Sequence, residues 1–379
     1  MPLTTWTSER EAIFKLARTD GLGPIKLRRL LDVFGSAEMI LRASSRDLTS
    51  TPGVGDTLAR AILDRSNDEK IERSMSAIDD AGVRVIFEDD DEYPPALREI
   101  YDNPVFLTIR GSIVPTDKLA VAIVGSRRCT RYGLEQAERF AAVLASHGIT
   151  IISGLARGID GAAHRGALQA GGRTIAVLAS GLSNIYPPEH KDLAAEVAAQ
   201  GAVVSEAPID GVPVPGLFPQ RNRVISGMSL GVLVVEAAER SGALSTAHHA
   251  VEQNRDVFAI PGRLTDIASK GTNKLLRQGA IFVTSPEDIL EHLGPVEISI
   301  PTASGETQTT LFAEPAMPTG LGDVEVKIWN ALAGEEIPLD LVVERTGLDT
   351  STISATLLTM ELRRLIDRLP GSLFRRRAS

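Results

Sequence analysis

LAVAIVGSRRCTRYG (119–133) decides the fold of this chain. Residues 119–124 are all apolar, a run that suits a strand buried on both faces. Gly125 ends the run, and residues 132–147 then repeat apolar positions at helical spacing. Strand, glycine turn and helix make the first unit of a parallel α/β sheet. Similar apolar runs follow at 150–152, 174–178, 202–205, 231–235, 256–259 and 281–283, with amphipathic stretches between them, among them a helix over 161–170. The pattern predicts a Rossmann-like open, mostly parallel sheet with right-handed helical crossovers.

Three other segments flank this middle one, 76–293. Residues 1–75 are helical in pattern, interrupted by the glycine turns of GLGPIKLRRLL (21–31) and TPGVGDTLARAIL (51–63). Helix–hairpin–helix modules use such turns to hold a phosphate on backbone N–H groups without reading bases. A helical protein-contact domain explains them equally well. Residues 294–322, rich in Pro, Thr and Gly, read as a linker. Residues 323–379 offer three helical stretches, a turn at Gly347 and a short hairpin, the order of a winged helix. Its third helix would enter a duplex groove. Yet 351–365 carries basic residues only at Arg363 and Arg364, which leans toward a protein partner.

Composition narrows the class. A chain of 379 residues with 43% hydrophobic and 23% charged residues is globular, with two or three domains expected. No run approaches the ~18 apolar residues of a membrane span. The start, MPLTTWTSEREAIFK, lacks the basic and apolar regions of a signal peptide, so a cytoplasmic protein without membrane partners is expected. A single cysteine, Cys129, leaves no internal disulfide and no cysteine-rich zinc site. The net charge of −9 argues at first against nucleic acid. But DDAGVRVIFEDDDE (79–92) concentrates the acid, while 118–293 is nearly balanced and arginines 375–377 end the chain.

In open α/β sheets, ligands collect beyond the C-terminal strand ends. There Gly125 allows close backbone approach, and Ser126 and Arg127 face a helix N-terminus that favours an anion. No GxGxxG or Walker A sequence is present. A turn with a solvated arginine accounts for these residues equally well. In SGLARGIDGAAHRGAL (153–168), Gly154, Gly158 and Gly161 form a tight loop, Asp160 is placed to cap the next helix, and His164 is a packing or surface histidine. Lys191 reaches the same edge or simply begins a helix. Arg221, Asn222 and Arg223 precede an apolar strand and are hard to explain by packing alone. Ser241 and Gly242 open another helix, and Lys270, Asn273 and Lys274 bring cations to a further turn. Several such turns on one edge point to an extended anionic ligand. With 2 Trp, 4 Tyr and 10 Phe, mostly in apolar or Pro-flanked contexts, stacking platforms are few, so phosphate contacts are expected to dominate. Catalysis finds little support. No acid pair stands out, His248 and His249 point about 100° apart on a helix, Cys129 lacks a base, and Ser153 and Ser241 lack triad partners. No catalytic or metal residue is assigned.

GSR (125–127), SGLARGID (153–160), YPPEH (186–190), FPQRNRVISGMS (218–229), EAAERSGALSTAHHAVEQNRDVFAIPG (236–262) and KGTNKLLRQGA (270–280) together resemble the DNA-processing protein A (DprA/Smf) family. The resemblance covers the whole chain and is most specific over 119–293. It implies a SAM-like N-terminal domain and a Rossmann-like fold without cofactor. It also implies a dimer that binds and protects single-stranded DNA and loads the RecA recombinase during natural transformation. Arg127, Arg221 and Arg223 match the family's arginines, and Lys270 and Lys274 its basic loop. Gly125, Ser126, Gly154, Arg157, Lys191, Asn222, Ser241 and Asn273 complete the expected DNA-binding set. The family's YPxxN reads YPPEH here, with His190 in place of asparagine. The alternative is a nucleotide-processing hydrolase similar to the phosphoribohydrolases, with Glu236 as acid and Arg127 or Arg221 as phosphate anchor. The missing PGGxGTxxE run counts against it.

Overall fold

A computed structural model describes the chain except residues 1–3, 65, 67, 295–297, 302–306, 311–320, 333–336, 364, 370–372 and 377–379. It divides into two compact units, Met1–Gly294 and Pro295–Ser379. The first is built on nine strands: β1 (Arg84–Phe87), β2 (Phe106–Gly111), β3 (Ala120–Val124), β4 (Thr150–Ser153), β5 (Thr174–Leu178), β6 (Ala202–Ser205), β7 (Gly231–Val234), β8 (Asp256–Ala259) and β9 (Ile281–Phe282). Their spatial order is β1-β2-β6-β5-β4-β3-β7-β8-β9. Strands β3 to β9 pair in parallel, and every residue of β3 to β7 is buried, as their unbroken apolar runs require. Strands β1 and β2, absent from the sequence reading, run antiparallel to their neighbours and cover the edge of β6.

The connectivity places the site. From β3 the chain winds outward through β4, β5 and β6, then returns to lay β7 on the other side of β3. The β3/β7 boundary is therefore the topological switch point, where the helices that follow the strands part and open a crevice.

The core of the helices between Ser8 and Asp80 is continuous with that of the sheet. Phe14, Leu27, Leu30, Ile40 and Ile62 belong to one cluster with Phe87, Phe106 and Val203 of the sheet. Rings seal the contact: Phe14 stacks on Phe106 at 5.0 Å and meets Trp6 edge-on at 5.3 Å. The N-terminal helices and the sheet thus share one compact unit. The two glycine turns are present, with Gly23 and Gly55 at the N-caps of Pro24–Phe34 and Asp56–Leu63, neither with a side-chain cap.

The second unit is a winged helix. Helices Asp323–Ala331, Leu339–Thr346 and Thr350–Leu362 enclose Ile328, Trp329, Val342, Ile353 and Met360, and Phe374 closes the core from the hairpin Ile366–Leu369/Leu373–Arg376. Thr350–Leu362 has Ser351, Ser354, Ala355 and Thr359 exposed and no basic residue along its length. Within the expected linker, Ile298–Pro301 pairs antiparallel with Thr307–Thr310. Most of its remainder, with Arg364 and Arg377, lies outside the described residues. Among the described residues no helix is long and apolar enough to cross a membrane.

Candidate nucleic-acid interface

A crevice of about 670 Å³ opens at the β3/β7 switch point. One wall is the turn after β3, with Gly125, Ser126, Arg127 and Arg128. The opposite wall is Ser241–Ala243 and Thr246 at the start of helix Ala243–Glu252. Between them lies helix Leu217–Gly227, which tolerates Pro219 because it falls in the first turn. Phe218, Arg221, Asn222 and Ile225 all line the crevice, at the i, i+3, i+4, i+7 spacing of one helix face. Residues 221–223 do precede an apolar strand, β7, but they lie on a helix that the sequence reading did not include.

Arg127 is exposed, with its guanidinium 4.5 Å above the Phe218 ring. Among the described residues no carboxylate pairs with it. Phe218 in turn meets Tyr186 at 6.0 Å, so a half-buried aromatic pair adjoins the crevice, with Phe218 lining it. Gly125 serves packing: a Cβ there would lie 2.5 Å from Ile159 and 2.9 Å from the Glu236 carbonyl. The Ser126 N–H donates to that carbonyl at 2.7 Å, and its Oγ accepts from the Arg128 N–H at 3.1 Å.

Arg221 is a deep group, 6% exposed. Its Nη1 donates to the carbonyl of Gly154 at 2.8 Å and to that of Val177. Burial pushes its pKa down to about 10, against the opposing field of Asp160. Asp160 does not cap its helix. Gly158, at φ 76°, begins Ile159–Gln169 without a side-chain cap, and the Asp160 carboxylate accepts the Gly154 N–H at 3.2 Å. Burial raises the Asp160 carboxyl pKa, with Arg221 pulling the other way. Asn222 donates to the Gly242 carbonyl at 3.3 Å and so ties two walls together. Ser241 Oγ accepts the Ala243 N–H at 3.3 Å.

Six expected residues therefore meet in the crevice: Gly125, Ser126, Arg127, Arg221, Asn222 and Ser241. The others do not. Gly154 spends both backbone groups on Asp160 and Arg221, and its place in the sequence reflects a lack of room, since a Cβ would sit 2.2 Å from Arg221 Nη1. Arg157 is exposed and paired with Glu189. Lys191 is exposed at the start of Lys191–Gln200. Arg223 faces away, 7% exposed and paired with Glu206 and Asp102. Lys270, Asn273 and Lys274 line a separate hollow of about 530 Å³ with Arg277. There the Asn273 amide exchanges hydrogen bonds with both backbone groups of Gly262, a structural use.

The remaining polar residues are engaged in holding the frame. Glu236 is 4% exposed and accepts from the Thr130 N–H and hydroxyl at 2.8 and 2.5 Å. His190 bonds the Leu155 carbonyl through Nδ1 at 2.9 Å. His164 is fully buried, with Nδ1 2.7 Å from the Thr174 hydroxyl. Since that hydroxyl donates to the Ile151 carbonyl, Nδ1 carries the proton. Burial lowers the His164 pKa to about 3. Burial also raises the Cys129 thiol, with Glu236 adding to the effect. Among the described residues no group of three or more His, Cys, Asp or Glu could hold a metal ion. Sequence reasoning missed Asp160, Arg128 and Phe218 as crevice residues. The helical spacing from Phe218 to Ile225 is the signal that finds the last.

The pattern of DNA recombination-mediator protein A matches residues 84–294, that of the DprA winged helix domain 312–372, and that of a SAM-like helix-hairpin-helix tandem 14–68. The chain is 40% identical to Protein Smf of Escherichia coli K12 over 354 residues, 91% of this chain and 92% of that protein. It is 45% identical to DNA processing protein DprA of Streptococcus pneumoniae over 201 residues, 53% of this chain and 71% of that protein. The X-ray structure of the pneumococcal protein superposes with a TM-score of 0.65 at 34% identity, covering 76% of this chain and 98% of that one. A Helicobacter pylori DprA structure, described for its single-stranded DNA binding mode, gives 0.51 at 32% identity over 56% of this chain and 95% of that one.

Proposed function

The chain belongs to the DNA recombination-mediator protein A (DprA/Smf) family, and on that premise we propose that it binds single-stranded DNA through the switch-point crevice, protects it and passes it to a RecA recombinase as a homodimer. The observation that supports the crevice as the site is Arg127. It is an exposed guanidinium, without a carboxylate partner among the described residues, that lies over a ring at the edge of a cleft that collects Arg221, Asn222 and a helix start. A phosphate there meets charge-assisted donors without the loss of any existing ion pair. Arg221 contributes mainly by shaping the floor, since its Nη1 is already committed to carbonyls. Lys270, Lys274 and Arg277 form a second cationic surface that a longer strand would meet. The domains share the work accordingly. The first unit holds the DNA, and the small, neutral face of Thr350–Leu362 suits a protein contact better than a duplex groove.

The enzymatic alternative loses its acid. Both Glu236 oxygens are taken by Thr130 beside the start of Arg131–Ser146, where a Gly133 Cβ would lie 2.5 Å from the carboxylate. Equilibrium binding of a labelled oligonucleotide, single-stranded against duplex, tests the proposal. Tighter single-strand binding is expected. Equal or weaker single-strand binding, or release of free base from nucleoside monophosphates, refutes it.

A further inference from the structure

Arg223 lies two residues from Arg221 on helix Leu217–Gly227 and points to the opposite side, into a node that joins four segments. Its Nη2 reaches both Glu206 oxygens at 2.8 Å, and its Nε lies 3.1 Å from Asp102. Its carbonyl accepts from Gln253 at 2.9 Å, at the C-cap of the helix whose start forms a crevice wall. Glu206 directly follows β6, and its own carbonyl accepts from Arg18 Nη1 at 2.7 Å, while Arg18 Nη2 reaches the Ala207 carbonyl at 3.2 Å. Arg18 comes from the N-terminal helices, with its guanidinium 5.0 and 5.1 Å from the Phe14 and Phe106 rings. An unbroken set of contacts thus runs from the N-terminal helices to the back of the helix that presents Arg221 and Asn222.

We propose that the Arg223–Glu206 pair, braced by Arg18, is a positioning clamp that sets helix Leu217–Gly227 in the crevice, so that the N-terminal helices support DNA affinity without touching DNA. The inference rests on the crevice being the DNA site. Two carboxylates facing Arg223 give the node no attraction for a phosphate. Its effect is mechanical: loss of the pair frees the helix to rotate or lift, and both crevice residues move with it.

The test uses the full chain and oligo-dT, with affinity measured at several salt concentrations and well below the melting midpoint of each variant. A phosphate contact on a single strand contributes about −0.7 to the log–log salt slope. Arg223→Gln and Glu206→Gln are expected to weaken binding about tenfold, within the range for residues that act on a site from outside it, with the slope unchanged. A slope shallower by about 0.7 in Arg223→Gln would mean that Arg223 touches phosphate and would overturn the clamp. Tighter binding by Glu206→Gln, the result of simply removing an acid near a polyanion, would overturn it too, as would unchanged affinity in both. If Arg223→Gln fails to fold, Glu206→Gln and Arg18→Gln decide by the same criteria. Failure of the unaltered chain to bind oligo-dT removes the functional reading and the clamp together. Normal binding by the unaltered chain with silent clamp variants removes the clamp alone.

Discussion

Replacing Arg127 by alanine deletes a cation whose folded-state contacts are few. It lies over Phe218 and forms no carboxylate pair among the described residues. Loss of an exposed cation–π contact costs roughly 0.5–1 kcal/mol. For a unit of this size that lowers the melting midpoint by a few degrees at most, about 2–4 °C per kcal/mol. The loss on binding is larger. A hydrogen bond to a charged group contributes roughly 1.5–3 kcal/mol, so affinity for single-stranded DNA should fall about tenfold to a hundredfold. The salt slope should become shallower by about 0.7, the share of one phosphate. Fluorescence anisotropy of a labelled oligo-dT across a salt series reads both quantities, and a thermal melt verifies folding. Unchanged affinity and slope in a folded variant would remove Arg127 from the interface and with it the main support for the crevice.

Gly154→Ala places a methyl 2.2 Å from Arg221 Nη1 and should both lower stability by roughly 1–3 kcal/mol and weaken DNA binding; urea melts and anisotropy on one sample check the pair of effects. His164 has a folded pKa of about 3 against an ordinary 6.5, so between those values the unfolded chain binds a proton that the fold refuses. Its neutral form keeps stability intact above pH 6.5, and stability falls as pH drops below it, by up to about 1.4 kcal/mol per pH unit from this group. The parent and His164→Phe, melted in urea from pH 4 to 7, should diverge in slope by that sign. A chain ending at Gly294 retains the whole first compact unit and should keep most single-strand affinity at moderate salt; loss of binding with the fold preserved would move the site to the winged helix.

The central strands β3 to β7 were legible because strands buried on both faces are dominated by apolar residues, and glycine turns mark several of their ends. Strands β1 and β2 were not: both run antiparallel at one edge of the sheet, β1 leads directly into the acidic run 88–92, and β2 ends in Arg110 and Gly111. Arg127 could be read from its place after the first strand. Arg223 could not, because its partners Asp102 and Glu206 come from other segments and meet it only through the tertiary fold. Gly154 illustrates a different limit. A glycine needed for close approach by Arg221 looks in sequence like one that opens the backbone to a ligand. Helix Leu217–Gly227 was not read, although the spacing of Phe218, Arg221, Asn222 and Ile225 records the face it presents.

If backbone phosphates of single-stranded DNA are held by the cations and dipoles of the crevice, the salt dependence of binding records it. Three to five phosphate contacts on a single strand predict a log–log slope of roughly −2 to −3.5, alike for oligo-dT, oligo-dA and mixed sequence, with duplex bound more weakly. A nearly flat salt dependence, or a strong preference for one base, would refute phosphate holding and assign it to the Phe218–Tyr186 pair or to reading of base edges.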